Sequence, residues 1–334
     1  MLVGKQTWVF PCPPVILAGA AIGCKKEGEG PLRDSFDRIY EDAWLGKDTF
    51  EKAEQALLGD AVNTVIKKAD LKPEDVDLFI AGDLINQITP SSFTARGLSL
   101  PYLGVFGACS TSMESLALGA QLISSGYAKH VVAATVSHNN TAEKQFRYPN
   151  EYGSQKPPTA QWTVTAAGAG MIAKNGNGPK VVSATIGKVV DMGLSDPFDM
   201  GSAMAPAAVD TIISHFQDRQ IQPSYYDLII TGDLGKVGQT IALNLLEEKG
   251  LKIDATKFID CGLLIFDESQ KVFSGGSGCG CCASVTYGHF LPKLCQGELN
   301  KILVIATGAL LSPLTYQQQE SIPAIAHAVA LERR

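Results

Sequence analysis

The segment DLFIAGDL at residues 77–84 returns later in the chain as DLIITGDL at residues 227–234. Each copy is a short apolar run, typical of a buried strand, that closes in a Gly-Asp turn. Other segments repeat in the same order: VILAGAAIG at 15–23 with VVSATIG at 181–187, and KHVVAA at 129–134 with KILVIA at 301–306. Repeats in one order predict a duplicated chain whose two halves share one topology.

Helical patterns separate the repeated strands, at 50–68 and 111–124 in the first half and at 207–218 and 281–294 in the second. Strands that alternate with helices predict an α/β fold with a largely buried sheet in each half. The polar segment KNGNGPK at 174–180 is the predicted junction, so we predict an N-terminal half at 1–175 and a C-terminal half at 176–334. The insert at 139–165 has no clear period, and we predict a loop and cap there, a candidate for a dimer interface.

Composition excludes several classes of function. The chain has 334 residues, a net charge of −6 and no Lys/Arg cluster, which argues against nucleic-acid binding because that binding depends on neutralising phosphates. No run approaches the roughly 18 apolar residues of a membrane span, so we expect no transmembrane segment. The eight cysteines fit thiols in a reducing cytosol. The cluster Cys279, Cys281 and Cys282 lacks zinc-ligand spacing, so we expect no metal site.

One cysteine occupies a position suited to chemistry. The apolar run 102–106 gives way to GACSTSMESL at 107–116, and helical spacing of apolar residues begins at Thr111. Cys109 therefore lies at the start of a helix, where free N–H groups and the helix dipole stabilise a thiolate. The same position also receives anions, and a buried inert cysteine remains a third interpretation.

The duplicated halves, the cysteine before a central helix and the late Gly-rich turn SGGSGCGCCASV at 274–285 resemble the thiolase superfamily, especially its ketoacyl synthase III type. The resemblance implies a thiolase-like fold with two halves packed in αβαβα layers. In that superfamily the cysteine of an Ala-Cys-Ser context accepts the acyl group, and Ala108-Cys109-Ser110 matches it. The segment TAAGAGMI at 165–172 resembles the strand that closes the first half.

The other catalytic positions of condensing enzymes do not match. Their histidine lies in a Pro-His-Gln-Ala-Asn type of motif, where this chain reads ITGDLG at 230–235. Their later asparagine aligns with Cys279. These two side chains stabilise the charge that develops during condensation, and without them that reaction loses several kcal/mol of stabilisation.

The opening segment KQTWVFPCPPVILAGAAIGCKKEGEGPL at 5–32 and the core FGACSTSMESLALG at 106–119 resemble the stage V sporulation protein AD family of endospore-forming bacteria. This resemblance implies a non-catalytic protein that binds pyridine-2,6-dicarboxylate (dipicolinate) during its import into the developing spore. It further implies a homodimer, without a cofactor of its own, beside integral membrane proteins at the cytoplasmic side of the spore inner membrane. Two alternatives stay open: an acyltransferase that uses Cys109 as acyl acceptor, and a structural subunit with a vestigial pocket.

Dipicolinate is a planar dianion, so its receptor needs hydrogen-bond donors, an apolar wall and relief of negative charge. We expect donors near the start of the central helix and after the strand 131–135, with a cationic His138 contributing most. The aspartates of the repeated turns are expected to hold Ca²⁺ if the ligand arrives as its calcium chelate, or else to cap the helices that follow. The expected ligand-binding residues are Asp83, Cys109, Ser110, Thr111, His138, Asn139, Asn140, Asp233 and Cys279.

Overall fold

The structure, a computed structural model, describes residues 1–146 and 156–333. Its strands are β1 (Leu2–Val3), β2 (Thr7–Val9), β3 (Val15–Cys24), β4 (Arg38–Tyr40), β5 (Leu78–Gly82), β6 (Tyr102–Gly104), β7 (His130–Ser137), β8 (Trp162–Thr163), β9 (Ala166–Ala173), β10 (Lys180–Thr185), β11 (Leu228–Thr231), β12 (Phe258–Asp260), β13 (Gly276–Ser277), β14 (Lys301–Ala309) and β15 (Ala324–Glu332). Its helices are α1 (Lys25–Gly28), α2 (Phe50–Lys68), α3 (Thr89–Leu98), α4 (Thr111–Ser124), α5 (Asn139–Phe146), α6 (Met200–Arg219), α7 (Gly235–Glu248), α8 (Cys261–Leu264), α9 (Cys279–Val285), α10 (Leu291–Gln296) and α11 (Pro313–Gln317).

The two halves build their sheets in the same order. In the first half the strands run β6-β5-β7-β9-β3, and in the second half they run β12-β11-β14-β15-β10. The first three strands of each set are parallel, and the last two join in antiparallel fashion. The two sets meet where Lys180 of β10 pairs with Val15 of β3. This matching order explains the repeated segments of the sequence.

Helices and sheets form five layers. Helices α4 and α9 lie between the two sets of strands, where Met113 of α4 shares one apolar core with Ile80 of the first set and Val304 of the second. Helix α2 packs on the outer face of the first set, and α6 covers the outer face of the second. The αβαβα arrangement is therefore confirmed.

Two glycines allow the central layer to approach its sheet closely. A Cβ atom at Gly168 of β9 would collide with the backbone of Ala283, and one at Gly170 would collide with the ring of Tyr287. Only glycine therefore fits at these two positions of β9. The Gly-Ala-Gly segment of the sequence thus fixes how deeply α9 lies against the first sheet.

The insert is more regular than a loop and cap, and that prediction was wrong in part. Its first residues form α5, and Trp162–Thr163 forms β8, which pairs in parallel with β13. Helix α5 is mostly polar, but Thr141 turns inward and donates a 2.7 Å hydrogen bond to Glu54 of α2. Because α5 contains few apolar residues, the sequence shows no helical periodicity there. Residues 147–155 of the insert lie outside the described residues.

The polar segment 174–180 connects β9 to β10, and the division of the chain at residue 175 stays a prediction. Among residues 1–146 and 156–333, we find no helix that combines the length and the hydropathy needed to cross a bilayer.

Candidate functional site

Cys109 lies in a tight turn between β6 and α4, as the sequence predicts. Ala108 adopts a left-handed conformation with φ of 50°, which turns the chain just before the cysteine. The Ser110 hydroxyl donates to the carbonyl of Gly107 at 2.6 Å, and the Thr111 hydroxyl donates to that of Ala108 at 2.7 Å. These two hydroxyls hold the turn together, so they are not free donors for a ligand, in contrast to our expectation.

The Cys109 thiol is a neutral group. Its residue is 9% exposed, and burial, followed by the nearby Asp233 carboxylate, raises the pKa of the thiol well above its ordinary value. Loss of hydration and a neighbouring negative charge both disfavour a thiolate, and together they outweigh the helix terminus. The expectation of a stabilised thiolate is therefore not met.

Asp233 follows β11 and reaches Cys109 from the second half of the chain. Its carboxylate accepts hydrogen bonds from the Thr307 hydroxyl at 2.6 Å and from the Gly278 N–H at 2.9 Å. Burial raises the pKa of Asp233 to about 7. The segment that lacks the histidine of condensing enzymes thus places a weakly acidic carboxyl group beside the cysteine.

Asp83 occupies the corresponding turn of the first half, where it stabilises the segment that leads into α3. It accepts the Ser91 N–H at 2.9 Å and the Ser91 hydroxyl at 2.6 Å, in the first turn of α3, and the Ile85 N–H at 2.9 Å. Burial raises the pKa of Asp83 to about 6. Its two oxygens are occupied by protein donors, as in the helix-capping alternative.

Cys279 begins α9 and packs beside Cys109 in one small cluster. Its thiol donates to the Val136 carbonyl at 3.0 Å, and burial raises the pKa of the thiol well above its ordinary value. A neutral thiol with a backbone partner cannot supply the amide of the asparagine that it replaces. Within the described ranges, no three His, Cys, Asp or Glu side chains are arranged to hold a metal ion.

His138 is a neutral structural residue, against our expectation of a cation. Its Nε2 atom bonds the carbonyl of Ala43 at 2.8 Å, and its Nδ1 atom accepts the N–H of Asn140 at 3.2 Å. Nδ1 is therefore unprotonated, and burial lowers the pKa of the ring. Asn139 donates to the Thr163 carbonyl, and both asparagines line a separate cavity that also contacts Glu27. The structure does not bring these three residues to Cys109.

A narrow pocket opens directly over Cys109. It is largely apolar, with a volume of about 40 Å³, enough for about three water molecules. Its polar side chains are Cys109, Thr163 and Ser277, and neither Asp83 nor Asp233 belongs to its wall. The larger apolar side chains of the wall are Leu84, Phe106, Phe146, Met200 and Leu311.

Sequence reasoning identified only Cys109 among these pocket residues. The wall collects side chains from the ends of distant elements, and no local pattern marks such a set. The available signal was that Ala309 ends β14 and Leu311 follows it, at the same edge as the repeated Gly-Asp turns.

A wider groove of about 770 Å³ lies on the outer face of the first half, between α2 and α3. It exposes Lys52 and Arg96, and the Arg96 guanidinium stacks 4.3 Å from the ring centroid of Phe93. The groove does not include Cys109 or the repeated turns.

Two matching halves with a cysteine before the central helix define a thiolase-like protein. Human mitochondrial 3-ketoacyl-CoA thiolase, solved in complex with CoA, is 13% identical with a TM-score of 0.61, over 97% of this chain and 98% of that one. The 3-oxoacyl-[acyl-carrier-protein] synthase III of Aquifex aeolicus is 14% identical with a TM-score of 0.58, over 96% and 99% of the two chains.

Within this class, the chain belongs to the stage V sporulation protein AD family, which it matches over residues 4–332. The stage V sporulation protein AD of Bacillus subtilis strain 168 is 51% identical over 332 residues, covering 99% of this chain and 98% of the relative. The chain is thus a member of a sporulation protein family with a thiolase-like fold.

Proposed function

We propose that the chain is a non-catalytic receptor that binds dipicolinate in the pocket over Cys109, for uptake of the ligand into the developing spore. The observation that carries the proposal is the pocket itself, which keeps an apolar wall and polar groups at the position of the thiolase nucleophile. The surrounding catalytic groups are replaced by Asp233 and Cys279. A cavity at the position of the nucleophile, without the groups that condensation needs, supports binding over turnover.

Loss of condensation follows from the charges around Cys109. Condensing enzymes stabilise a developing negative charge with preorganised donors. Here the neighbour of the thiol is an acceptor, the carboxylate of Asp233, and the second position is a thiol engaged with the backbone. These groups would oppose negative charge at the reacting carbon.

The pocket wall suits a flat aromatic ring, with Phe106, Phe146 and Leu311 on its sides. A pyridine ring with two carboxylates needs more room than a few water molecules. Phe106 is 50% exposed, so its side chain is only partly packed and can change rotamer when the ligand enters. We propose that ligand binding displaces Phe106 and Phe146 and widens the pocket.

Charge must be neutralised when the ligand binds. The described wall contains no Lys, Arg or His, and the carboxyl group of Asp233 lies behind Cys109. A dianion placed here would raise the pKa of Asp233 further, so binding takes up a proton. A Ca²⁺ ion that enters with the ligand is the other means of neutralising the charge of the dianion. Because Asp83 and Asp233 already accept protein donors, the ligand itself would hold that ion.

Isothermal titration calorimetry tests this proposal with dipicolinate alone, with its calcium chelate and with benzoate as a control for nonspecific anion docking. We expect saturable binding of dipicolinate and none of benzoate. Titrations in phosphate and in Tris, whose ionisation enthalpies differ, should reveal proton uptake with free dipicolinate and less with the chelate. Absence of binding by either form would exclude the receptor.

The contact between Cys109 and Asp233 supports a second candidate, an acyltransferase. Asp233, with a pKa of about 7, can accept the thiol proton while the sulfur attacks a thioester, and it can return that proton to the departing thiolate. Incubation with acetyl-CoA followed by intact-protein mass spectrometry distinguishes the two candidates. A mass increase of one acetyl group that disappears in Cys109→Ala would favour the enzyme.

We further propose that two copies pair through β6. This strand lies at the edge of the first sheet, and Leu103 within it and Phe106 just after it are 46% and 50% exposed. An apolar strand edge is a template for pairing with another chain, and a two-fold pair would cover both side chains. Because Phe106 also lines the pocket, the dimer interface would lie beside the pocket wall.

We also propose that the dimer works beside integral membrane proteins of the same sporulation transport system, on the cytoplasmic side of the spore inner membrane. Family membership supports this placement, and association through partners is consistent with a described chain that has no spanning helix. Which membrane subunit the chain contacts can be tested by crosslinking in sporulating cells.

A further inference from the structure

Two residues with hydroxyl groups lie side by side on the wall of the pocket over Cys109. Strands β8 and β13 pair in parallel, with Trp162 opposite Gly276 and Thr163 opposite Ser277. Side chains of directly opposed residues leave a sheet on the same side, and neighbouring strands lie roughly 4.8 Å apart. Thr163 and Ser277 therefore form an adjacent pair on the pocket wall.

Alternation along β8 assigns its two faces to different cavities. Thr163 contacts the pocket over Cys109, whereas Trp162 lines the separate cavity near Glu27. The Lys26 ammonium lies 4.4 Å from the Trp162 ring centroid on that other side. The pair of hydroxyls is thus the polar contribution of these two strands to the Cys109 pocket.

Both hydroxyls are unused by the protein. Thr163 and Ser277 are 3% and 5% exposed, and within the described part of the chain neither side chain has a hydrogen-bond partner. Other hydroxyls around the site are engaged: that of Ser137 donates to Val164, and that of Thr307 donates to Asp233. Nearly buried hydroxyls normally have a partner, so this pair is free to bind one from solution.

We infer that the Thr163 and Ser277 hydroxyls together bind one carboxylate of the ligand, an inference that rests on the proposed function. A carboxylate has two oxygens, and each hydroxyl donates to one of them across the strand spacing. Hydroxyl groups suit this pocket because they can donate to a carboxylate and can also accept from a carboxylic acid, whereas an ammonium or guanidinium group only donates. The ring then extends toward Phe106 and Leu311, and the second carboxylate lies toward the mouth.

The test measures dipicolinate affinity by calorimetry for Thr163→Val, Ser277→Ala and the double variant. Each single substitution should weaken binding about tenfold, as expected for a hydrogen bond to a charged group. The loss of affinity in the double variant should be smaller than the product of the two single-variant factors, because both hydroxyls bind the same carboxylate. Thr163→Ser keeps the hydroxyl and should retain most of the affinity.

Thr240→Val is the matched control, since this threonine lies on α7 outside the pocket and its hydroxyl bonds its own helix. It should bind like the wild-type protein. Thermal melts check that each variant folds, and the Thr163→Ser rescue separates a lost donor from a disturbed strand.

The outcomes distinguish this inference from the receptor proposal. If the wild-type protein binds dipicolinate and Thr163→Val and Ser277→Ala bind it more weakly, both the receptor proposal and the hydroxyl pair are supported. Wild-type binding that neither substitution changes leaves the receptor in place and overturns the hydroxyl pair. If Thr163→Ser binds as poorly as Thr163→Val, the hydroxyl is not the donor and the inference fails. If the wild-type protein does not bind dipicolinate, both the receptor proposal and the hydroxyl pair are excluded.

Discussion

The Cys109 thiol of the first half lies beside the Asp233 carboxylate of the second half. Cys109 precedes the central helix of the first half, and Asp233 follows the repeated strand β11 of the second. The contact brings a thiol, an acid and the turn before α9 into one buried group, because Asp233 also accepts the Gly278 N–H at 2.9 Å. The floor of the pocket is thus built by both copies of the duplicated unit.

Cys109→Ala should weaken dipicolinate binding while leaving the fold intact. Loss of the sulfur removes one polar contact from the pocket floor and about 1 kcal/mol of packing, so we expect about fivefold weaker binding. Stability should fall by about 1 kcal/mol. Calorimetry and urea unfolding measure the two effects. Wild-type affinity in this variant would place Cys109 outside the ligand site.

Stability should depend on pH through Asp233. Its pKa is raised to about 7 in the folded chain, against roughly 3.9 in an unfolded one. The stabilisation from the bound proton is complete below about pH 4 and is lost as the pH rises through 7. Between these limits the slope reaches about 1.4 kcal/mol per pH unit.

Asp233→Asn removes this titration and keeps the other buried acids. Urea unfolding from pH 4.5 to 7.5 should therefore show a shallower loss of stability in the variant than in the wild-type protein. If stability falls with pH equally in the two proteins, Asp233 is ionised across this range and burial does not raise its pKa.

Gly308→Ala should disturb the turn that carries Cys109. A Cβ atom at Gly308 would collide with the Gly107 carbonyl and lie 3.2 Å from the Cys109 nitrogen. Because these are backbone atoms, the turn must shift, and we expect a loss of about 1–3 kcal/mol and much weaker ligand binding.

Gly97→Ala is the matched control, because no heavy atom lies within 4 Å of its added Cβ and the residue is inside α3. It should be neutral or stabilise the protein by roughly 0.5–1 kcal/mol. Equal behaviour of the two alanine variants in urea unfolding and titration would contradict the close packing at Gly308.

Leu103→Lys should separate the proposed dimer. Charged side chains on an edge strand oppose pairing, and two lysines would face each other near the two-fold axis. Light scattering after size exclusion should show a dimer for the wild-type protein and a monomer for the variant. Tyr127→Lys, at an 84% exposed position, is the control and should remain dimeric. A monomeric wild-type protein would exclude the dimer itself.

The fold was predictable because the duplication repeats in local sequence. Each half marks its strands by short apolar runs and its turns by Gly-Asp, so the order of strands and helices follows from the pattern. The αβαβα packing of the two halves was implied by the resemblance to the thiolase superfamily. Cys109 could be placed for the same reason, since a strand end and a helix start are both local signals.

The pocket could not be predicted in the same way. Thr163 and Ser277 become neighbours only through the pairing of β8 with β13, which spans more than a hundred residues of chain. The prediction of a cationic His138 was wrong because its ring bonds the Ala43 carbonyl, a backbone group that no sequence motif indicates. Burial also reversed the expected charge of Cys109, and depth of burial depends on the packing of both halves.

A crystal structure of the protein grown with dipicolinate tests the central claim most directly. We predict ligand density over Cys109, with one carboxylate against Thr163 and Ser277 and the rings of Phe106 and Phe146 moved apart. Ligand in the groove between α2 and α3, or an unchanged pocket at saturating dipicolinate, would contradict the account.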